Sequence, residues 1–95
     1  MARRHLVVSY DVTDDRARAR LSKYLLGYFD RVQKSVFEGE IAEDKCAKMT
    51  ADVARLVDQE QDSVRFYTLC PRCRAATDIV GTGTYVEPEE GDIVL

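Results

Sequence analysis

The sequence is poor in cysteine, proline and glycine, and it has no long apolar run. Its 95 residues include three cysteines, two prolines and five glycines. An odd number of cysteines does not fit a secreted domain held together by disulfides. No apolar segment approaches the ~20 residues that a membrane-spanning helix needs. The apolar part of the first ten residues is too short for a secretory signal and lacks a small-residue cleavage site. These absences predict a cytoplasmic protein without a membrane segment.

The motifs of several common enzyme classes are also missing. The sequence contains no glycine-rich phosphate loop, no serine nucleophile elbow and no dinucleotide-binding fingerprint. It has one C-x-x-C motif, formed by Cys70 and Cys73, but a structural zinc site needs four ligands. Cys46 falls on the apolar stripe of a predicted helix and His5 is the only histidine, so we expect no zinc site. A redox pair would need a helix that starts directly after a strand. A loop with two reduced thiols is the favoured interpretation.

Size and charge indicate one small domain whose charge is unevenly distributed. Hydrophobic residues make up 45% of the chain and charged residues 33%, which fits a single small domain with a thin core. We expect this domain to cover 1–95, with its core at about 4–82 and a tail at 83–95. Residues 1–39 carry eight basic and five acidic groups, a net charge of +3, whereas residues 40–95 carry six basic and twelve acidic groups, a net charge of −6. The acidic total argues against general affinity for nucleic acid. The basic N-terminal half can still provide a local face that binds phosphate.

Hydrophobic periodicity predicts two helices and several strands. Apolar side chains at Ala17, Leu21, Leu25 and Tyr28 follow the spacing of a single helical stripe. The predicted elements are a strand at 5–11, a helix that starts near 13–15 and ends at about Leu26, an extended segment at 30–41, a helix at 42–60, a strand at 63–70, a polar loop after Pro71, a short strand at 78–81 and a strand-like tail at 92–95.

The extended segment at 30–41 decides the topology. If it is one long strand, the chain is βαβαβ and needs a parallel sheet covered on both faces, which two helices cannot easily provide. If it is a hairpin that turns at Lys34-Ser35, the chain is βαββαβ. We prefer the hairpin, which predicts an α+β, ferredoxin-like fold with an antiparallel sheet and both helices on one face. The other face would stay uncovered in a monomer, so a second copy would complete the core.

Asp11 is the strongest candidate for a chemical role. It stands at the end of the first predicted strand, directly before a helix that carries several arginines. A carboxylate at a strand end can hold a hard divalent cation while neighbouring arginines hold phosphate. One carboxylate does not make a metal site, but two copies of the chain that meet at this strand end would bring two Asp11 side chains together. The alternative is a turn aspartate or a helix cap.

Two segments of the sequence resemble a known family. Residues 6–16, the arginines at 18 and 20, and residues 31–40 are similar to CRISPR-associated protein two, the small protein of the CRISPR adaptation module. The resemblance implies a ferredoxin-like homodimer in which the C-terminal strand of each copy extends the sheet of its partner. It also implies a metal-dependent endonuclease, with Mg²⁺ or Mn²⁺, that cleaves single-stranded RNA or double-stranded DNA and takes part in spacer acquisition with the CRISPR integrase.

The resemblance also assigns roles to individual residues. It implies that Asp11 is the catalytic, metal-binding aspartate. The residues that it associates with the site or with nucleic-acid contact are Tyr10, Arg18, Arg20, Arg31 and Phe37. An alternative with the same residues is a non-catalytic DNA-binding scaffold that bridges integrase dimers. A small regulatory domain that binds a metabolite is disfavoured because no second domain is present for it to regulate.

Overall fold

The computed structural model describes residues 2–83 and 86, which form four strands and three helices. In chain order, the elements are β1 (Arg3–Asp11), α1 (Asp15–Leu26), β2 (Asp30–Gln33), β3 (Val36–Ala42), α2 (Glu43–Leu56), β4 (Ser63–Leu69) and α3 (Pro71–Ala75). Within this part of the chain, no helix is both long enough and apolar enough to cross a membrane.

The strands form one antiparallel sheet in the order β2-β3-β1-β4. The segment at 30–41 is a hairpin that turns at Lys34-Ser35, as predicted. The backbone N–H of Tyr10 donates to the carbonyl oxygen of Ser35 at 3.1 Å, which ties the turn to the end of β1. The α+β, ferredoxin-like βαββαβ order is therefore confirmed.

Alternation along the strands places the core between the sheet and the first two helices. Leu6, Val8 and Tyr10 of β1 are buried, and they alternate with side chains on the opposite sheet face. The helices contribute Leu21 and Leu25 from α1, and α2 adds Met49 and Val53. The predicted helical stripe of α1 is thus the surface that packs on the sheet.

The opposite sheet face is polar and is covered in part by the chain itself. His5 is only 5% exposed, and its Nε2 lies 2.6 Å from Oε2 of Glu38 on the neighbouring strand. The segment that follows α3 lines a cavity of about 820 Å³ together with Asp30 and Glu38. The expectation of a fully uncovered face is therefore corrected, because residues of 77–83 lie beside this face within a single copy.

Helix α2 ends earlier than predicted, at Leu56 rather than at residue 60. Val57 is extended, with φ −122° and ψ 162°. Beyond it, the backbone N–H of Asp58 donates to the Asp62 carboxylate at 2.9 Å, and the N–H of Asp62 donates to the carbonyl of Asp58 at 2.7 Å. Aspartates compete with helical hydrogen bonds in this way, so a local turn replaces the last helical turn.

The region after β4 also differs from the prediction. The polar loop expected after Pro71 is the short helix α3, because proline suits the first position of a helix and the side chain of Cys70 caps it. The short strand predicted at 78–81 does not form: residues 78–80 have no regular structure, and Gly81 has a φ of +101°, which lies outside the strand region. The predicted tail strand at 92–95, with its pairing to a second copy, lies outside the described residues.

A cluster around Asp52 joins α1 to α2. Tyr24 on α1 donates its hydroxyl hydrogen to Asp52 at 2.6 Å, and Nζ of Lys48 lies 2.7 Å from the same carboxylate. The hydrogen bonds from Lys48 and then Tyr24 lower the pKa of Asp52 from its ordinary 3.8 to about 2. Burial, followed by the hydrogen bond to Asp52, raises the pKa of Tyr24. The ionised form of Asp52 is therefore the one that the folded protein favours.

This cluster predicts an acid-dependent loss of stability. Because the pKa of Asp52 is lower in the folded than in the unfolded chain, its contribution is present above its ordinary pKa of 3.8 and is lost as the pH falls towards about 2. We expect the melting temperature of Asp52→Asn to depend less on pH across this interval than that of the unmodified protein. Asp44→Asn, at an exposed position on α2, is the control and should follow the unmodified protein. Parallel curves for all three proteins would contradict the assignment.

Candidate functional site

An open cleft of about 720 Å³ lies at the end of β1, between α1 and the β2–β3 hairpin. Four of the six predicted site residues line it: Tyr10, Asp11, Arg18 and Arg31. The fold therefore brings together residues from three elements that are separated by up to 21 positions in sequence. This cleft is the candidate functional site.

Asp11 is the last residue of β1 and lies opposite Ser63 of β4. The cap of α1 is Asp14, whose Oδ2 accepts the backbone N–H of Ala17 at 2.8 Å. The alternative that Asp11 caps the helix is therefore wrong. Among residues 2–83, the exposed carboxylate of Asp11 accepts no hydrogen bond and forms no ion pair. It remains available to a ligand in the cleft.

Arg18 is held close to the end of β1. Its Nη1 donates to the carbonyl oxygen of Val12 at 2.9 Å, and its second terminal nitrogen pairs with the Asp15 carboxylate. The side chain is still 44% exposed. A guanidinium has five N–H donors, so these two contacts fix its position and leave others to bind an anion.

Phe37 contacts two of the residues that line the cleft, Tyr10 and Arg31. Its side chain is fully buried at the centre of the sheet, and the Tyr10 ring stacks on it with centroids 6.2 Å apart and an angle of 25°. The Arg31 guanidinium also lies over the Phe37 ring, 5.3 Å from its centroid, and donates to the Ser22 hydroxyl. Phe37 thus positions Tyr10 and Arg31, and its burial prevents direct contact with a substrate.

Arg20 is the predicted site residue that the fold places elsewhere. It lies exposed on α1 and does not line the cleft. Lys34 and Ser22 line the cleft, although neither was predicted from the sequence to be a site residue. Two signals could have identified them: Ser22 follows Arg18 by four residues, which is one helical turn, and Lys34 occupies the predicted hairpin turn.

The cleft is locally cationic in an acidic protein. Its lining includes four basic side chains and two carboxylates, namely Arg18, Lys23, Arg31, Lys34, Asp11 and Asp15, whereas the whole chain has a net charge of −3. A concave surface with an excess of positive charge raises the local concentration of phosphate groups. The sequence-based expectation of a basic face in the N-terminal half therefore has a defined location.

The donor set of the cleft suits only a loosely held divalent cation. Within residues 2–83, no group of three or more His, Cys, Asp or Glu side chains is arranged to hold a metal ion. Mg²⁺, however, keeps most of its water and is commonly bound through one or two carboxylates plus substrate phosphates. The carboxylate of Asp11, which has no partner in the described part of the chain, fits that pattern, whereas the carboxylate of Asp15 pairs with Arg18.

Comparison with known proteins identifies the family. The sequence model described as CRISPR associated protein Cas2 matches residues 4–77. The chain belongs to the Cas2 family. The resemblance noted from residues 6–16 and 31–40 is therefore confirmed.

Individual Cas2 proteins are similar over most of this chain. The CRISPR-associated endoribonuclease Cas2 of Thermus thermophilus is 37% identical over 90 residues, which cover 95% of this chain and 96% of the relative. The crystal structure of Streptococcus pyogenes Cas2 at pH 6.5 matches with a TM-score of 0.73 and 26% identity, over 81% of this chain and 99% of that one. A chain of a partial Cas6-RT-Cas1–Cas2 complex matches with a TM-score of 0.75 and 29% identity, over 97% and 99% of the two chains.

The position of Phe37 in this Cas2-family chain predicts a structural role. Phe37→Ala removes a fully buried ring and should lower the free energy of unfolding by about 3–5 kcal/mol. Urea denaturation followed by circular dichroism measures this loss. Val80→Ala, at a side chain that is 96% exposed, is the control and should change stability by less than about 0.5 kcal/mol. Equal stability of the two variants would show that Phe37 does not support the core.

Proposed function

We propose that this protein is a metal-dependent endonuclease of CRISPR adaptation, which cuts phosphodiester bonds of single-stranded RNA or double-stranded DNA at the cleft beside Asp11. The observation that carries the proposal is the carboxylate of Asp11, which has no partner among residues 2–83, in one cleft with two positioned arginines, Arg18 and Arg31. The names of the relatives, CRISPR-associated endoribonucleases, agree with this activity and favour RNA as the first substrate to test.

The arginines would hold the nucleic-acid backbone. Arginine binds phosphate through pairs of parallel N–H donors, and such contacts fix the register of a nucleic acid without reading its sequence. Arg18 is anchored to the Val12 carbonyl, and Arg31 is supported by the Phe37 ring. Because both guanidinium groups are already oriented, little side-chain freedom is lost when a phosphate binds.

Asp11 would hold Mg²⁺ or Mn²⁺ together with water and phosphate oxygens. When bound, such an ion lowers the pKa of a coordinated water and neutralises charge at the scissile phosphate. No imidazole lines the cleft, because His5 lies six positions from Asp11 along β1, where it contacts Glu38. A histidine base is therefore not part of the proposal, and the carboxylate of Asp11 carries the catalytic role.

The expected partners follow from the family. We propose a cytoplasmic homodimer that brings two copies of Asp11 together and acts with the CRISPR integrase on RNA or DNA. Two Asp11 side chains would give the ion a second carboxylate, which a single copy lacks. The likeness to a chain of a Cas6-RT-Cas1–Cas2 complex supports an assembly of this kind.

A non-catalytic scaffold is the second candidate. Four cationic side chains around the cleft would contact the phosphates of a duplex, and the donor set for a metal among residues 2–83 is small. In this case, the protein would position DNA for the integrase without cutting it. The two candidates differ only in what happens at Asp11.

Substitution of Asp11 separates the candidates. Asp11→Asn keeps the shape of the side chain but removes the charge that attracts a divalent cation. We expect metal-dependent cleavage of labelled RNA and duplex DNA to be lost, while folding and binding of the same nucleic acids stay close to those of the unmodified protein. Gel-based cleavage with Mg²⁺, Mn²⁺ or a chelator measures the first property, and fluorescence anisotropy the second.

Asp44→Asn is the matched control for this experiment, because Asp44 is exposed on α2 outside the cleft. It should retain full cleavage. Undiminished metal-dependent cleavage by pure Asp11→Asn would refute the catalytic assignment. Binding without any cleavage by the unmodified protein would favour the scaffold.

The arginines of the cleft predict a salt-dependent change in binding. Arg18→Ala and Arg31→Ala should each weaken binding of nucleic acid and lower the slope of log Kd against log salt by about one unit, because each removes one phosphate contact. Lys45→Ala, at an exposed position on α2, is the control and should leave the slope unchanged. Arg20→Ala tests whether the surface that contacts nucleic acid extends along α1. Unchanged slopes for Arg18→Ala and Arg31→Ala would place the phosphates elsewhere.

A further inference from the structure

The C-x-x-C motif lies at the junction between β4 and α3. Cys70 directly follows Leu69, the last residue of β4, and is the N-cap of α3, whose first residue is Pro71. Both Cys70 and Cys73 are exposed and reduced. A redox pair of this type is expected where a helix starts directly after a strand, and the fold meets that condition. The expected loop with two thiols is therefore a strand–helix junction.

The two cysteines face each other across the first turn of α3. Sγ of Cys70 accepts a hydrogen bond from the backbone N–H of Cys73 at 3.3 Å, and the backbone N–H of Arg74 donates to the Cys70 carbonyl at 2.9 Å. Residues three apart on a helical turn have Cβ atoms about 5–6 Å apart, whereas a disulfide needs about 3.5–4.5 Å. Closure of a bridge in this exposed turn therefore requires the two Cβ atoms to approach each other by roughly 1–2 Å.

The two thiols differ in pKa because they make different hydrogen bonds. The hydrogen bond from the Cys73 backbone N–H, followed by the bond from the Cys73 thiol, lowers the pKa of Cys70. The same contact with Cys70 raises the pKa of Cys73. Cys70 is therefore the better source of thiolate, which is the attacking form. Cys46 is half-buried against the core on α2 and serves as an internal reference.

We propose that Cys70 and Cys73 form a redox-active dithiol that closes to an intramolecular disulfide by exchange with a low-molecular-weight disulfide. The Cys70 thiolate attacks one sulfur of the small disulfide, so that a mixed disulfide forms and one small thiolate leaves. Cys73 gives its proton to solvent and attacks the sulfur of Cys70, so that the second small thiolate leaves. Two electrons pass from the cysteine pair to the small disulfide, and the two released thiolates take up two protons.

The location gives this reaction a structural consequence. Helix α3 holds the chain that follows it, since Thr77 Oγ1 donates to the Cys73 carbonyl at 3.1 Å and the Arg74 guanidinium donates to the carbonyl of Val86. A bridge across the first turn of α3 constrains the helix from which this segment starts. In a reducing compartment, such a bridge is transient and is reversed by thiols.

The test uses the reduced, full-length protein and glutathione disulfide at neutral pH. After incubation, free thiols are blocked by alkylation of the unfolded protein, and the products are identified by intact mass and peptide mapping. We expect the loss of two of the three thiols, a Cys70–Cys73 linkage, no retained glutathione and an alkylated Cys46. Cys46→Ser should give the same bridge.

Two single variants test the order of events. Cys73→Ser should trap glutathione on Cys70, because the resolving thiol is absent. Cys70→Ser should react more slowly, since Cys73 is the poorer source of thiolate. Stable glutathione adducts on both cysteines of the unmodified protein, or equal rates of trapping in the two variants, would overturn the proposal. Retention of all three thiols in the folded protein would overturn it as well.

Discussion

The contact between Phe37 and its neighbours is the interaction on which the rest of the structure depends. Phe37 is fully buried at the centre of the sheet, where it pairs with Val8 of β1 and Arg31 of β2. The same ring carries the Tyr10 ring and the Arg31 guanidinium at the floor of the cleft. The packing that buries Phe37 therefore also orients the site. When the hairpin pairs with β1, it places Arg31 beside the end of that strand.

The fold could be predicted where a pattern extends over many residues. The apolar stripe of α1 gives its buried face, and the choice of a hairpin at Lys34-Ser35 follows from how many sheet faces two helices can cover. Helix α3 could not be predicted in this way, because five residues are too few for a periodic signal. Its start depends on a single side-chain cap by Cys70. The end of α2 was equally hard to predict, because it depends on local hydrogen bonds between Asp58 and Asp62.

The site could be predicted in part, and for different reasons at each position. Asp11 and Arg18 are visible locally, because a carboxylate at a strand end precedes a basic helix. The pairing of Arg31 with Phe37 depends on the register of the hairpin, so local chemistry does not reveal it, and only the family resemblance selects both residues. The placement of Arg20 outside the cleft follows from the phase of α1 relative to the sheet.

The register of β1 against β4 keeps the two chemically distinctive regions of the molecule apart. Asp11 pairs with Ser63 at one end of β4, whereas His5 pairs with Leu69, the residue before Cys70, at the other end. Asp11 lies six positions from His5 along the strand, a distance of roughly 20 Å at ~3.4 Å per residue. The thiols of Cys70 and Cys73 therefore cannot touch a phosphate that is bound at Asp11. Any effect of their oxidation on the cleft would have to pass through β4 or through the segment that follows α3, which lies beside Asp30 on the hairpin that also carries Arg31.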